Sequence, residues 1–152
     1  MGRPNLASIE MCTACMACID ACPKSALTSV LNDNGRYQIE CDTDSCISCG
    51  LCERVCPVVT LQFGKRKKGT SYPFAACAID EGLRLKSASG GIFAALAYQV
   101  ISNGGVAIGA CMDGLEVKMK LIDKIEGISL LQGSKYQQAN SCGIYSLVKT
   151  LL

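Results

Sequence analysis

The chain has 152 residues, with 12 cysteines and neither histidine nor tryptophan. The missing imidazole excludes histidine-dependent catalytic triads, histidine-ligated zinc or haem, and Rieske centres. Fifteen basic and 13 acidic residues leave a formal charge of +2, which gives no electrostatic basis for binding nucleic acid.

Hydrophobic residues make up 49% of the chain and aromatic ones only 5%, so a core must be built from aliphatic side chains, and the composition is not that of a disordered chain. The longest helix-like apolar stretch, Ile92 to Ile101, falls far short of the ~20 residues that span a bilayer. Met1 to Met11 lacks the apolar run of a signal peptide. The expected location is the cytoplasm. In a reducing compartment, dense cysteines point to metal or redox chemistry before disulfides.

Nine of the cysteines lie between Cys12 and Cys56. Cys12, Cys15, Cys18 and Cys22 form C-x2-C-x2-C-x3-C ahead of Pro23. Cys46, Cys49, Cys52 and Cys56 repeat the motif ahead of Pro57, each position displaced by 34 residues. Two residues between cysteines let consecutive sulfurs converge on one compact inorganic core, while the fourth lies about a helical turn further on. In the two-cluster ferredoxin arrangement this fourth cysteine ligates the other cluster. On that arrangement, Cys12, Cys15, Cys18 and Cys56 hold one [4Fe–4S] cluster and Cys46, Cys49, Cys52 and Cys22 hold the second.

The residues between the ligands suit this reading. Ala14, Ala17, Ser48 and Gly50 are small, so backbone N–H groups can reach the sulfurs and tune the potential. Met16, Ile19, Ile47, Leu51 and Val55 are expected to shield the clusters from water. Pro23 and Pro57 stop the segments carrying the fourth ligands. Four-cysteine zinc is the alternative, because zinc sites also use C-x2-C pairs. Three tightly spaced cysteines with a fourth before proline, twice over, favour iron and sulfur.

Between the motifs, Ala26 to Val30 and Arg36 to Glu40 read as two strands of a hairpin, with Asn34-Gly35 supplying positive φ angles at the turn. Val58 to Phe63 reads as a further strand. Cys41, Cys77 and Cys111 read as small hydrophobes, and Cys142 as a loop thiol. Residues 1–63 thus form a two-cluster domain, 64–71 (Gly-Lys-Arg-Lys-Lys-Gly-Thr-Ser) a basic linker, and 72–152 a second domain. In that domain Phe74 to Ile79 reads as a strand and Glu81-Gly82 as a turn. Ser87 to Gly91 opens a helix over Ile92 to Ser102, which Asn103-Gly104-Gly105 ends. Val106 to Met112 and Leu115 to Ile122 read as strands joined by Asp113-Gly114, and Gly143 to Leu152 as a helix. The apolar Val148, Leu151 and Leu152 suggest a further segment or partner to pack against. The backbone of Ser87 to Gly91 could cradle an anion, and Gly133 to Tyr136 could meet a phosphate and a flat ring.

The double motif, the basic run, Leu85-Lys86-Ser87-Ala88-Ser89-Gly90-Gly91-Ile92-Phe93, Gly109-Ala110 and Gly133-Ser134-Lys135-Tyr136, in this order, resemble the coenzyme F420 hydrogenase/dehydrogenase beta-subunit family. The resemblance spans nearly the whole chain. It implies an α+β protein in which a two-[4Fe–4S] ferredoxin-like domain precedes a partial α/β flavin-type domain. It further implies a flavin cofactor, FAD, near Ser87, Ser89, Gly90, Gly91 and Lys135, and a redox partner protein or a deazaflavin. Family members are much longer and carry a Gly-Thr-Pro-Cys-Gln segment further on, so this chain is expected to hold the electron-transfer end and only the opening of the flavin domain. The expected activity is that of an oxidoreductase component relaying single electrons through the two clusters. A stand-alone electron carrier is the first alternative, and a module merely stapled by its clusters the second.

Overall fold

The computed structural model describes residues 4–60 and 72–152. The linker expected at 64–71 and the end of the strand expected at Val58 to Phe63 lie outside these residues. Two compact units result: 4–60 together with Ser141–Leu152, and 72–140. Both mix short helices with a two-stranded antiparallel sheet, an α+β architecture.

In the first unit, α1 (Ala17–Asp20) and α2 (Leu51–Val55) follow the two cysteine loops at equivalent repeat positions. Between them β1 (Leu27–Leu31) pairs with β2 (Tyr37–Cys41), Leu27 opposite Cys41 and Leu31 opposite Tyr37. The hairpin lies within a residue of expectation, but its loop is wider than a two-residue turn. The Asn32 carboxamide oxygen accepts from the N–H groups of Asn34 (3.1 Å) and Arg36 (3.0 Å), closing the loop as an Asx turn. Gly35 (φ 71°) then takes the left-handed conformation, which Asn34 does not share. Residues 57–60 form turns instead of the expected strand, with the Thr60 N–H and hydroxyl both donating to the Cys56 carbonyl (3.0 and 2.7 Å).

Helix α6 (Ile144–Leu151) completes this unit, although the sequence reading grouped its residues with 72–152. The reason is one side chain. Its N-cap, Gly143 (φ 83°), has no side chain to cap it, and Asp20 at the end of α1 does so from a distance. The carboxylate accepts from the N–H groups of Gly143 (2.7 Å), Tyr145 (2.9 Å) and Ser146 (3.2 Å).

The second unit contains α3 (Glu81–Leu85), α4 (Ile92–Ser102), β3 (Ala107–Asp113), β4 (Glu116–Ile122), a 3₁₀ turn (Ile125–Gly127) and α5 (Ile128–Leu131). Helix α4 coincides with its expected span. Gly105 and Gly104 donate to the carbonyls of Val100 and Ile101 (both 2.9 Å), a Schellman termination with Gly104 at φ 81°. Strands β3 and β4 form a hairpin whose loop, Gly114-Leu115, places glycine (φ 61°) first. Ala94, Ala97 and Ile101 share one face of α4 and pack with Cys111, Ile122, Ile128 and Leu131 into the core.

Two expectations fail here. Phe74 to Ile79 is not a strand: the run is apolar, but among the described residues no strand pairs with it, and Phe74 and Ile79 are 88% and 99% exposed. Glu81-Gly82 is not a turn, because the Asp80 carboxylate accepts from the Leu83 N–H (2.8 Å) and starts α3 there.

Candidate metal centre

The two cysteine loops are duplicates in backbone as well as sequence. Ala14 (φ 49°) and Ser48 (φ 55°) occupy equivalent positions and are both left-handed. So are Met16 (φ 62°) and Gly50 (φ 70°), the N-caps of α1 and α2. A left-handed non-glycine residue costs roughly 1–2 kcal/mol, and the first loop accepts that cost at two positions. Left-handed residues between the cysteines turn successive N–H groups toward the concave side of the loop. Ala14 N–H lies 3.4 Å from the Cys12 sulfur, and Ala26 N–H lies 3.3 Å from the Cys22 sulfur.

The eight motif cysteines divide between two cavities. Cys12, Cys15, Cys18 and Cys56 line one, with Thr13, Met16, Ile39 and Val58. Cys22, Cys46, Cys49 and Cys52 line the other, with Ala26, Leu27, Lys24 and Glu53 among its walls. Each cavity thus takes three cysteines from one loop and the fourth from the other. Among the described residues no three Cys, Asp or Glu side chains close on a point where a single ion would sit; each thiol set borders a volume.

Four sulfurs around a partly apolar cavity, with an N–H group near one of them in each case, fit a polynuclear iron–sulfur core. Protein packing alone is thin: Ala14, Met16, Ala26, Leu27 and Cys52 are the buried apolar residues among those described in this unit. Units of this size gain stability from such cross-links. The expected shielding holds for Met16, which is 1% exposed; Ile47 borders the second cavity although 57% exposed, and Val55 faces solvent at 42%. Ile39, Val58 and Leu27 also line the cavities.

The thiols bear the mark of crowding. Burial pushes the Cys18 thiol up to about 12, and the neighbouring Cys15 and Cys12 thiolates add to the shift. Burial likewise raises Cys52. Neighbouring thiolates in a confined space repel, and a bound cation relieves this while displacing protons.

Sequence reasoning missed the contribution of residues 141–146. The Met16 sulfur accepts from the Ser141 N–H (3.2 Å) and from the Cys142 thiol (3.4 Å). Burial, then the negative charges of Cys15 and Asp20, raise the pKa of the Tyr145 hydroxyl. No local motif announces these contacts, which accompany the docking of α6 on Asp20. Of the remaining cysteines, Cys111 is buried as expected, Cys41 is half-buried, and Cys77 is exposed because the strand expected around it does not form.

In the second unit, Ser87, Ser89, Gly90 and Gly91 border a cleft with Ile92, Phe93 and residues 131–134. A Cβ at Gly90 would stand 2.7 Å from the Ala76 carbonyl oxygen, so the close crossing requires glycine. The Ser87 hydroxyl donates to the Leu83 carbonyl (2.8 Å) and accepts from the Gln132 carboxamide (3.1 Å). Lys135 is not among the residues bordering this cleft. Its ammonium donates to the carbonyls of Gln132 (2.6 Å), Gly133 (3.2 Å) and Leu130 (3.4 Å), closing the end of α5.

Residues 11–60 match the 4Fe–4S dicluster domain family. Ketoisovalerate oxidoreductase subunit VorC of Methanothermobacter marburgensis is 36% identical over 50 residues, which cover 32% of this chain and 63% of that subunit. An uncharacterised ferredoxin of Methanocaldococcus jannaschii is 34% identical over 61 residues, 39% of this chain and 78% of its own length. No solved structure matches. With the duplicate loops, the matched domain and a ferredoxin relative aligned over most of its length, the chain belongs to the 4Fe–4S dicluster ferredoxins.

Proposed function

We propose that this chain relays single electrons through two [4Fe–4S] clusters, one held by Cys12, Cys15, Cys18 and Cys56, the other by Cys46, Cys49, Cys52 and Cys22. The observation that carries the reading is the division of the eight cysteines, three plus one, between two cavities. A bound cluster supplies one-electron redox chemistry at a potential set by its surroundings. The protein's part is to hold the thiolates, direct N–H groups of Ala14 and Ala26 at sulfur, and limit water with Met16, Ile39, Val58 and Leu27. The partner is a redox protein or subunit, a role supported by the likeness to an oxidoreductase subunit. Among the described residues no helix is long and apolar enough to cross a membrane.

Paired variants test the crossed assignment. After anaerobic reconstitution, Cys56→Ser is expected to perturb the same cluster as Cys15→Ser, and Cys22→Ser the same cluster as Cys49→Ser, by electron paramagnetic resonance. Cys56→Ser grouping with Cys49→Ser would refute it.

A second reading extends the relay to a flavin in the cleft of the second unit, contacted by Ser87, Ser89, Gly90, Gly91 and Lys135. The convergence of residues 87–93 with 131–134 on one cleft supports it. Lys135 would have to exchange its carbonyl partners for the cofactor. Titration of the reconstituted chain with FAD is expected to quench flavin fluorescence. Unquenched flavin would leave the chain as an electron carrier without a flavin site.

A further inference from the structure

The two cysteine loops are duplicates, yet they close differently over their cavities. Met16 and Gly50 stand at equivalent positions, 34 residues apart, both left-handed and each bordering its own loop's cavity. Glycine takes that conformation freely, so the first loop accepts strain to place a long side chain there. That side chain is 1% exposed and held at its sulfur, which accepts from the Ser141 N–H (3.2 Å) and the Cys142 thiol (3.4 Å). The Cys142 sulfur in turn lies 3.6 Å from the Ser29 hydroxyl of β1, so three segments of one unit form the seat. At Gly50, among the described residues, an added Cβ meets no atom within 4 Å. Of the eight motif cysteines Cys49 alone is exposed, while its counterpart Cys15 is half-buried. Lys24, Ser48 and Glu53 border the second cavity; among the described residues, the first has Thr13 as its polar side chain besides the cysteines.

We propose that Met16 sets the potential of the cluster held by Cys12, Cys15, Cys18 and Cys56: its side chain keeps water from the sulfurs, so that this cluster is reduced after its near-duplicate. The proposal rests on the ligand assignment given above. Reduction passes one electron from the redox partner to a cluster; no proton moves, and Met16 is not a ligand in either state. The reduced cluster carries more negative charge, which water stabilises and an apolar wall does not, so excluding water lowers the potential. Other influences differ little between the loops. Each cavity has one N–H near a ligand sulfur, from Ala14 (3.4 Å) and from Ala26 (3.3 Å). Lys24 and Glu53 at the second cavity carry opposite charges.

The test follows each cluster of the full chain, reconstituted anaerobically in heavy water, by pulsed paramagnetic resonance during a redox titration. Cys15→Ser and Cys49→Ser identify which signal belongs to which cluster. In the unaltered protein the cluster perturbed by Cys49→Ser is expected to be reduced first and to show the stronger coupling to solvent deuterium. Met16→Gly should raise the potential of the other cluster and bring its deuterium coupling to the same level. One water hydrogen bond gained at a charged sulfur shifts the reduction equilibrium on the order of tenfold, or ~59 mV for one electron. Met16→Leu, which keeps the apolar bulk, should leave both readings as they were. Unchanged coupling and potential in Met16→Gly, or equal shifts in both clusters, would overturn the proposal. If Met16→Gly fails to assemble, Gly50→Met decides: lower potential and weaker deuterium coupling at the second cluster support the proposal, and unchanged values refute it. Cys15→Ser and Cys49→Ser perturbing the same cluster would instead refute the ligand assignment.

Discussion

Asp20 offers the sharpest test of how the first unit is assembled. Asp20→Ala removes an acceptor of three N–H groups, at 2.7, 2.9 and 3.2 Å, from the start of α6. Loss of a side-chain cap costs about 0.5–2 kcal/mol. Bonds to a carboxylate belong at the upper end of that range, but these are solvent-exposed and screened, so about 1–2 kcal/mol is the working figure. A helix of eight residues has no stability of its own in water, so the cost falls on its docking. Amide hydrogen exchange reads this directly. Protection over Tyr145 to Leu151 should fall roughly fivefold to thirtyfold, with the β1–β2 hairpin unaffected. Unchanged protection in α6 would show that apolar packing holds it and that the carboxylate is incidental.

Other consequences follow from single residues. Gly50→Ala should destabilise the reconstituted protein by about 1 kcal/mol, measured by anaerobic denaturation, because the added Cβ meets nothing within 4 Å but is forced into a left-handed conformation at φ 70°. Gly90→Ala drives a Cβ to 2.7 Å from the Ala76 carbonyl oxygen; the urea midpoint should drop by the equivalent of about 1–3 kcal/mol. Metal-free protein should lose stability in alkali. The unfolded Cys18 thiol ionises near 9.0, the folded one near 12, so the folded state binds more protons in between and stability declines as pH rises through that window. Circular dichroism of the apo-protein from pH 8 upward checks the sign, and a rise in stability would contradict it.

Local signals accounted for much of this architecture. Gly91, Asn103, Gly104 and Gly105 bracket α4, and alternating apolar residues around a turn mark both hairpins. The cysteine spacing was legible because metal ligation imposes it directly on the chain. The failures have one physical theme, the absence or presence of a distant partner. Phe74 to Ile79 has strand composition but, among the described residues, no strand beside it. Helix α6 carries no cap of its own, so its attachment could only be read from Asp20, 123 residues earlier. The left-handed Ala14, Met16 and Ser48 were invisible for a related reason. Their conformation is dictated by the cysteine loop and not by the residues, and only Gly50 advertises it.

Spectroscopy and metal analysis of the chain purified and reconstituted without oxygen test the central claim most directly. Crossed ligation by eight cysteines predicts about eight irons and eight sulfides per chain, and two paramagnetic centres on reduction. Colourless protein, or protein that takes up zinc in preference to iron, would contradict it.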